Sequence, residues 1–347
     1  VAALSHKICG AAFFPLLQGP LMRLLVTGGC GFIGSNFIRH VLAHYGPAMI
    51  TNVDALTYAG NLANLEGIAE KYGERYEFYH ADIADGAKMN ALMEKHQFFA
   101  VVNFAAESHV DRSITGPEAF IHANVLGTAV MLDAARRHGV RRFLQVSTDE
   151  VYGSLGPEGK FTELSPIVPS SPYSASKASA DLLALAHHHT YGQEVVITRC
   201  SNNYGPYQYP EKLIPLMILN ALSDKPLPVY GDGMNVRDWI HVEDHGAAVF
   251  AAMLNGKPGE VYNVGSDGEM RNIDVVKMIL EHLGKPESLI KYVPDRLGHD
   301  RRYAIDSSKA HRELGWKPLH QHKEGIRATI DWYVKNRTWW EPLLKKA

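Results

Sequence analysis

Cysteine is scarce in this chain: Cys9, Cys30 and Cys200 are the three in 347 residues. None sits at a metal-ligand or disulfide spacing, which excludes a zinc ribbon and a stapled secreted scaffold and fits a reducing cytoplasm. Charge of one sign is lacking too. The formal net charge of −2 provides no global field to gather nucleic acid or a membrane surface. No apolar run is long enough to cross a bilayer, and neither an internal repeat nor a low-complexity tract is present. What is there is ordinary globular composition, 46% hydrophobic, at a length that suggests about two domains.

The first residues read as foreign. Val1 stands where an initiator would, and Leu16 to Pro20 spell L-L-Q-G-P, which resembles a protease-site scar. Residues 1–21 are therefore expected to be an expression-derived leader, with the native chain starting at Met22. A signal peptide is the rival reading, but the charged n-region is poor and no clear small-residue cleavage site precedes the first strand.

From there strand and helix patterns alternate. Arg23 to Thr27, Met49 to Asp54, Tyr76 to His80, Ala100 to Phe104 and Arg142 to Ser147 read as strands. Helical stretches fall at about Phe32 to Ala43, Lys88 to Lys95 and Asn124 to Arg137. That alternation predicts right-handed crossovers and an α/β, doubly wound parallel sheet of Rossmann type. After Ser201 the texture changes to shorter, turn-rich elements, beginning with the aromatic loop Tyr204 to Pro210. A smaller C-terminal α/β domain, residues 201–347, is expected to close over a ligand bound to a first domain of residues 22–200, with part of 236–255 rejoining the first.

The first strand runs into T-G-G-C-G-F-I-G, placing Gly28, Gly31 and Gly34 between a strand and a helix. Glycine permits the tight turn and lets backbone N–H groups approach a pyrophosphate, with the positive helix end aimed at it. This G-x-x-G-x-x-G variant resembles the short-chain dehydrogenase/reductase superfamily. Asp54, twenty residues beyond Gly34 at the end of the second strand, can accept both ribose hydroxyls of an adenosine and repels a 2′-phosphate, favouring NAD over NADP. Asp82 and Ile83 suit an adenine contact, and Ala105 and Ala106 leave room for a cofactor.

Tyr173 and Lys177 form Y-S-A-S-K, introduced by the helix-start pair Ser171-Pro172. Four-residue spacing sets both on one helical face. A phenol of pKa about 10 is a poor base at neutral pH; a neighbouring ammonium and a cationic nicotinamide would both favour phenolate. The pair resembles the superfamily's catalytic pair. S-T-D-E-V-Y-G, Ser147 to Gly153, is more specific. Thr148 is followed by two adjacent acids, Asp149 and Glu150, which can serve as acid and base if their surroundings separate them. Elimination of water across two carbons needs such a pair; an epimerase does not.

With A-A-E-S-H-V-D-R-S-I, R-C-S-N-N-Y-G-P-Y-Q, P-E-K-L-I-P, R-D-W-I-H-V-E-D-H and R-R-Y-A-I-D added to these motifs, the chain from Met22 to about Trp340 resembles the dTDP-glucose 4,6-dehydratases. The resemblance implies an NAD-dependent lyase that forms dTDP-4-keto-6-deoxyglucose. Tyr173 takes the 4-hydroxyl proton while hydride leaves C4, with Thr148 bonding the C4 oxygen. Glu150 removes the C5 proton, Asp149 protonates the departing 6-hydroxyl, and hydride returns to C6. It further implies cofactor contacts from Phe32, Ile33, Leu56, Thr57, Gly60, Ser108 and Asn203. On the substrate side it implies His109, Asn202, Lys212, Leu213, Arg237, Asn272, Arg296, His299 and Tyr303; for Arg237 a plain salt bridge with Asp238 is the bland alternative. Two departures stand out: Leu297 replaces a usual proline in D-R-L-G-H-D, and Cys30 a usual alanine.

Neither His187-His188-His189, whose rings point in different directions on a helix, nor Trp339-Trp340 is expected to form a site. No metal is expected. The resemblance implies a homodimer through a four-helix bundle of the helices around Pro117 to Arg137 and Tyr173 to His189. Rival readings are a UDP- or GDP-linked sugar dehydratase, an epimerase or decarboxylase, and an NAD-sensing protein without activity.

Overall fold

The computed structural model describes residues 21–344; all of the leader but Leu21 lies outside them, as does Cys9. In chain order the strands are β1 (Met22–Thr27), β2 (Ala48–Asp54), β3 (Tyr76–His80), β4 (Ala100–Asn103), β5 (Arg142–Thr148), β6 (Glu194–Cys200), β7 (Asn202–Tyr204), β8 (Leu227–Tyr230), β9 (Val236–His241), β10 (Val261–Val264), β11 (Glu269–Arg271) and β12 (Ile290–Val293). Seven form one parallel sheet in the order β10-β6-β5-β4-β1-β2-β3. The order reverses between β1 and β4, the switch point at which doubly wound sheets open a ligand crevice.

The central strands are apolar because helices cover both faces. Every residue of β4 and β5 is buried. On one face, helices Phe32–His44 and Val242–Asn255 pack Phe37, Val41, Val249 and Phe250 against Leu24, Val102 and Leu144. On the other, helices Gly86–Lys95, Gly127–Arg137 and Pro172–Tyr191 pack Met89, Met131 and Ala184 against Leu25, Val101 and Ile197. The helix expected from Asn124 begins as a π-helical turn, Ile121–Leu126, before Gly127. Across the sheet centre a polar line replaces apolar packing: Thr27 donates to Asn103 at 2.5 Å, and Asn103 donates to Gln145 at 2.8 Å, all three side chains buried.

A separate core gathers Tyr204, Ile218, Leu227, Val276, Ile330 and Trp340, from helices Leu213–Leu222, Asn272–Leu283, His322–Lys335 and Arg337–Leu344 and two small sheets, β11-β9-β7 and β12-β8. Trp340 is buried and bonds the Tyr333 carbonyl, while Trp339 bonds Asn64; the tryptophan pair thus packs on the body. The chain returns to the large sheet through helix Val242–Asn255 and β10. Among the described residues no helix is long and apolar enough to cross a membrane.

One buried histidine marks how the two cores meet. His245 is fully enclosed, bonds Asn203 through Nδ1 at 2.9 Å, and burial drives its pKa down to about 3. The unfolded chain takes this proton near 6.5, so between pH 3 and 6.5 the unfolded state binds more protons and His245 removes stability as pH falls. At pH 5 that loss is about 2 kcal/mol. The His245→Gln variant lacks it, so its melting temperature is expected to lie closest to that of wild type at pH 5 and farthest below at pH 7. A gap that does not change with pH contradicts this.

Candidate active site

A cavity of about 690 Å³ occupies the switch point. Its floor at one end is the glycine turn. Gly28 has φ +67°, and a Cβ there would come within 2.7 Å of the Ala105 backbone; at Gly34 a Cβ would meet the Gly28 carbonyl at 2.3 Å. No side chain caps helix Phe32–His44, so its first N–H groups are left for a ligand. Phe32, Ile33, Thr57, Gly60, Ile83, Ala105, Ala106, Ser108 and Asn203 all line the same cavity with Gly31.

Asp54 lies at the end of β2, with Oδ2 accepting from the Cys30 amide and Oδ1 from the Leu56 amide, each at 2.8 Å. Burial raises its pKa while those two amides pull it back. Gly60 packs so close that a Cβ would sit 2.8 Å from Asp54. Leu56 is the one cofactor-side expectation that does not line the cavity. With φ +53° it turns the chain back, and its side chain packs on the core while its amide holds Asp54. Asp82 is engaged by the Ala84 amide at 2.8 Å and by His122 Nε2 at 2.9 Å, a lining histidine that the sequence did not single out.

The catalytic expectations converge at the other end. Ser171 caps helix Pro172–Tyr191 in a reciprocal capping box with Ser174, which fixes where Tyr173 enters the cavity. Thr148 closes β5, and its hydroxyl accepts from the Glu150 amide at 3.3 Å, starting the tight turn Asp149–Tyr152 that presents both acids. Thr148, Asp149, Glu150, Tyr173 and Lys177 all line the cavity.

Their charges are set by what surrounds them. Burial lifts Asp149 well above the carboxylate range, and Glu150 and Asp238 lift it further, against Arg237 alone among the cations. Burial also lifts Glu150, but Arg296, Arg237 and Lys212 all oppose it. The adjacent acids are thus separated: Asp149 keeps its proton and Glu150 is the one favoured as carboxylate. Tyr173 is pushed well above its ordinary value by burial, then by Glu150 and Cys200, with only the Thr148 hydroxyl pulling back. The Lys177 ammonium donates to the Val146 carbonyl at 2.7 Å. The chain's own groups therefore hold Tyr173 as a phenol, and of the two activating charges expected from the sequence the cationic nicotinamide is the one they do not include.

On the substrate side, Asn202, Lys212 and Leu213 line the cavity, and Lys212 donates to the Ser108 carbonyl at 2.8 Å. His109, Arg237, Asn272, Arg296, His299 and Tyr303 lie outside its lining. Arg237 bonds the Val236 and Asp300 carbonyls and lies 4.3 Å over the Tyr303 ring. Asp238 is not its partner; that carboxylate takes the Gly268 and Ser266 amides. Arg296 and His299 pair with Asp111 and Asp295, His109 contacts Glu211 at 3.4 Å, and the Asn272 side-chain oxygen is buried without a partner. The lining also includes Tyr58, Glu107, Glu211 and Trp239; only their meeting in space could have found them.

His187 and His188 turn to Gln193 by separate bonds. Another histidine group, His241 and His320 with Glu243, comes together near the surface. Its two rings stack 3.8 Å apart at 22°, so their in-plane lone pairs do not converge on one ion.

A family profile described as GDP-mannose 4,6 dehydratase matches residues 25–329. A dTDP-glucose 4,6-dehydratase of Xanthomonas campestris pv. campestris is 54% identical over 341 residues, covering 92% of this chain and 95% of the relative. That of Salmonella typhimurium is 50% identical over 343 residues, covering 92% and 94%. The crystal structure of DesIV, a dTDP-glucose 4,6-dehydratase of Streptomyces venezuelae with NAD bound, superposes with a TM-score of 0.90 at 49% identity, covering 93% of this chain and all of that one. With a glycine turn, a Tyr-Lys helix and an electrically divided acid pair in one cavity, and with half of its residues shared along nearly its whole length, the chain belongs to the dTDP-glucose 4,6-dehydratase family.

Proposed function

We propose that this enzyme converts dTDP-glucose to dTDP-4-keto-6-deoxyglucose and water, with NAD as its resident cofactor. The observation that carries the reading is the separation of Asp149 from Glu150 beside Tyr173. An elimination needs one acid to give a proton and its neighbour to take one; an epimerisation has no use for the pair.

The uncapped helix end, the Gly28 cradle and Asp54 suit a dinucleotide. Bound NAD⁺ would supply the hydride acceptor for C4, the hydride donor for C6, and a positive charge beside Tyr173 to favour its phenolate. Tyr173 takes the O4 proton, and Thr148 hydrogen-bonds that oxygen. The C4 ketone acidifies the C5 proton, which Glu150 removes. Asp149 gives its proton to O6, and water departs. Glu150 then returns its proton to C5. The cycle leaves Tyr173 with one proton more and Asp149 with one fewer, so the starting state returns when Tyr173 releases its proton to solvent and Asp149 takes one up. Lys212, Arg237 and Arg296 bring positive charge to the Glu150 side of the cavity, where a diphosphate would be attracted.

In this reading residues 22–200 form the NAD-binding unit, rejoined by the helix from Val242 and by β10, and most of 201–347 holds the sugar nucleotide. Two copies pair through helices Ile121–Arg137 and Pro172–Tyr191, which expose Ile121, Leu126 and Leu182 at 53, 48 and 58%. The enzyme works in the cytoplasm, where Cys30 and Cys200 stay thiols, and neither nucleic acid nor a membrane takes part.

Purified protein incubated with dTDP-glucose without added cofactor is expected to form the 4-keto product, followed by alkaline absorbance and by loss of one water in mass spectrometry. UDP-glucose is expected to react far more slowly. Equal turnover of both sugars would remove the base assignment. No dehydration of either after NAD⁺ is supplied would remove the activity.

A further inference from the structure

One buried charge network lies behind the site and takes no part in the mechanism above. Asp181 sits one helical turn beyond Lys177 and is 1% exposed. Its Oδ2 accepts from Arg199 Nε at 2.9 Å, and Arg199, on β6, is itself 4% exposed. Arg199 also donates to the Tyr152 hydroxyl at 3.0 Å, and Tyr152 donates to Asn263 at 2.8 Å. Every member is buried. The Ser147 hydroxyl at the end of β5 also faces Asp181 and favours its charged form.

Two cations and one carboxylate enclosed together are costly for stability, since desolvation of buried ions is only partly offset by their attraction. Arg199 alone could be replaced by apolar packing; what the arrangement adds is a fixed negative charge one turn from the catalytic lysine. We infer that Asp181 is a positioning residue for the reaction: held ionised by Arg199, it keeps Lys177 an ammonium inside a site that excludes water. This rests on the dehydratase reading for the meaning of Lys177.

The groups that face Lys177 make the case specific. Burial lowers its pKa. Asp181, from its own helix, is the largest influence in the other direction, followed by Cys200 from β6. The Cys200 thiol is pushed up to about 12 by burial and then by Asp149, so it is neutral at working pH. Tyr173 is held as a phenol. That leaves Asp181 as the negative charge available to Lys177. Burial lifts the Asp181 carboxyl in turn, and Arg199 is the first group to pull it back.

The test is the pH profile of kcat for Asp181→Asn, which keeps the shape and an oxygen for Arg199. Loss of the ammonium is expected at lower pH, so the alkaline limb moves down by about one pH unit or more. At the acid side kcat stays within about threefold of wild type, and Asp181→Glu restores the limb. A uniform fall in kcat with an unmoved limb makes Asp181 merely structural and overturns the inference. Should Asp181→Asn fail to fold, Asp181→Asn with Arg199→Gln removes the orphaned guanidinium, and the same shift is expected. The Lys177 titration is also read directly from the carbon-13 shift of labelled lysine in the NAD-loaded protein, with Lys177→Met to assign the signal. It must fall in step with the limb. That reading decides the role of Asp181 even for a protein that does not dehydrate dTDP-glucose.

Discussion

Tyr173→Phe is expected to lower kcat for dTDP-glucose by about 10³-fold while leaving KM within a few-fold of wild type. The phenol oxygen is the group that takes the O4 proton, and its neighbours at that end of the cavity have other tasks. Lys177 is turned to the Val146 carbonyl, and Thr148 has its hydroxyl on the Glu150 amide. The ring itself packs edge-on against Phe120, with centroids 6.3 Å apart, and phenylalanine preserves that contact. The melting temperature should therefore barely move. Steady-state kinetics on the 4-keto product and a thermal melt check both halves. Retention of more than a tenth of wild-type kcat would take the proton from another group and undo the assignment.

The second large effect separates the adjacent acids. Asp149→Asn and Glu150→Gln should each slow dehydration by about 10² or more, but for different reasons that solvent deuterium can distinguish. Without the Asp149 proton the 6-hydroxyl cannot leave, yet Glu150 still removes the C5 proton. Unreacted dTDP-glucose recovered from Asp149→Asn in deuterium oxide should thus carry deuterium at C5. From Glu150→Gln it should not. Stability follows the same division. Asp149 is 1% exposed and already held neutral, so a neutral amide of the same shape costs little. Glu150 faces Arg296, Arg237 and Lys212, and removing its charge leaves those cations less balanced, so Glu150→Gln should melt lower than Asp149→Asn. Deuterium at C5 from the Glu150 variant and none from the Asp149 variant would exchange the two roles.

Where the reading depended on neighbours in the chain, it was legible. Gly28, Gly31 and Gly34 between strand and helix, the helix start at Ser171-Pro172 and the four-residue step from Tyr173 to Lys177 follow from local backbone preference and helical period. The structure places these elements within a residue or two of the spans expected. The identity of the acid pair was likewise visible as D-E at a strand end. Leu56 shows the limit of such reading. It adjoins the cofactor aspartate in sequence, but its left-handed turn lays the half-buried side chain against the core and leaves its amide on Asp54.

What tertiary structure alone decided is the charge each group carries. Which acid keeps its proton depends on Lys212, Arg237 and Arg296, tens of residues or more from Glu150 along the chain. The polar line through Thr27, Asn103 and Gln145 and the ion pair of Asp181 with Arg199 join elements whose spacing in sequence says nothing of their contact. Secondary structure is settled by residues a few positions apart, which a sequence displays. Ionisation in a buried site depends on burial and on distances between remote side chains, and those exist only once the sheet and its second core have closed on each other.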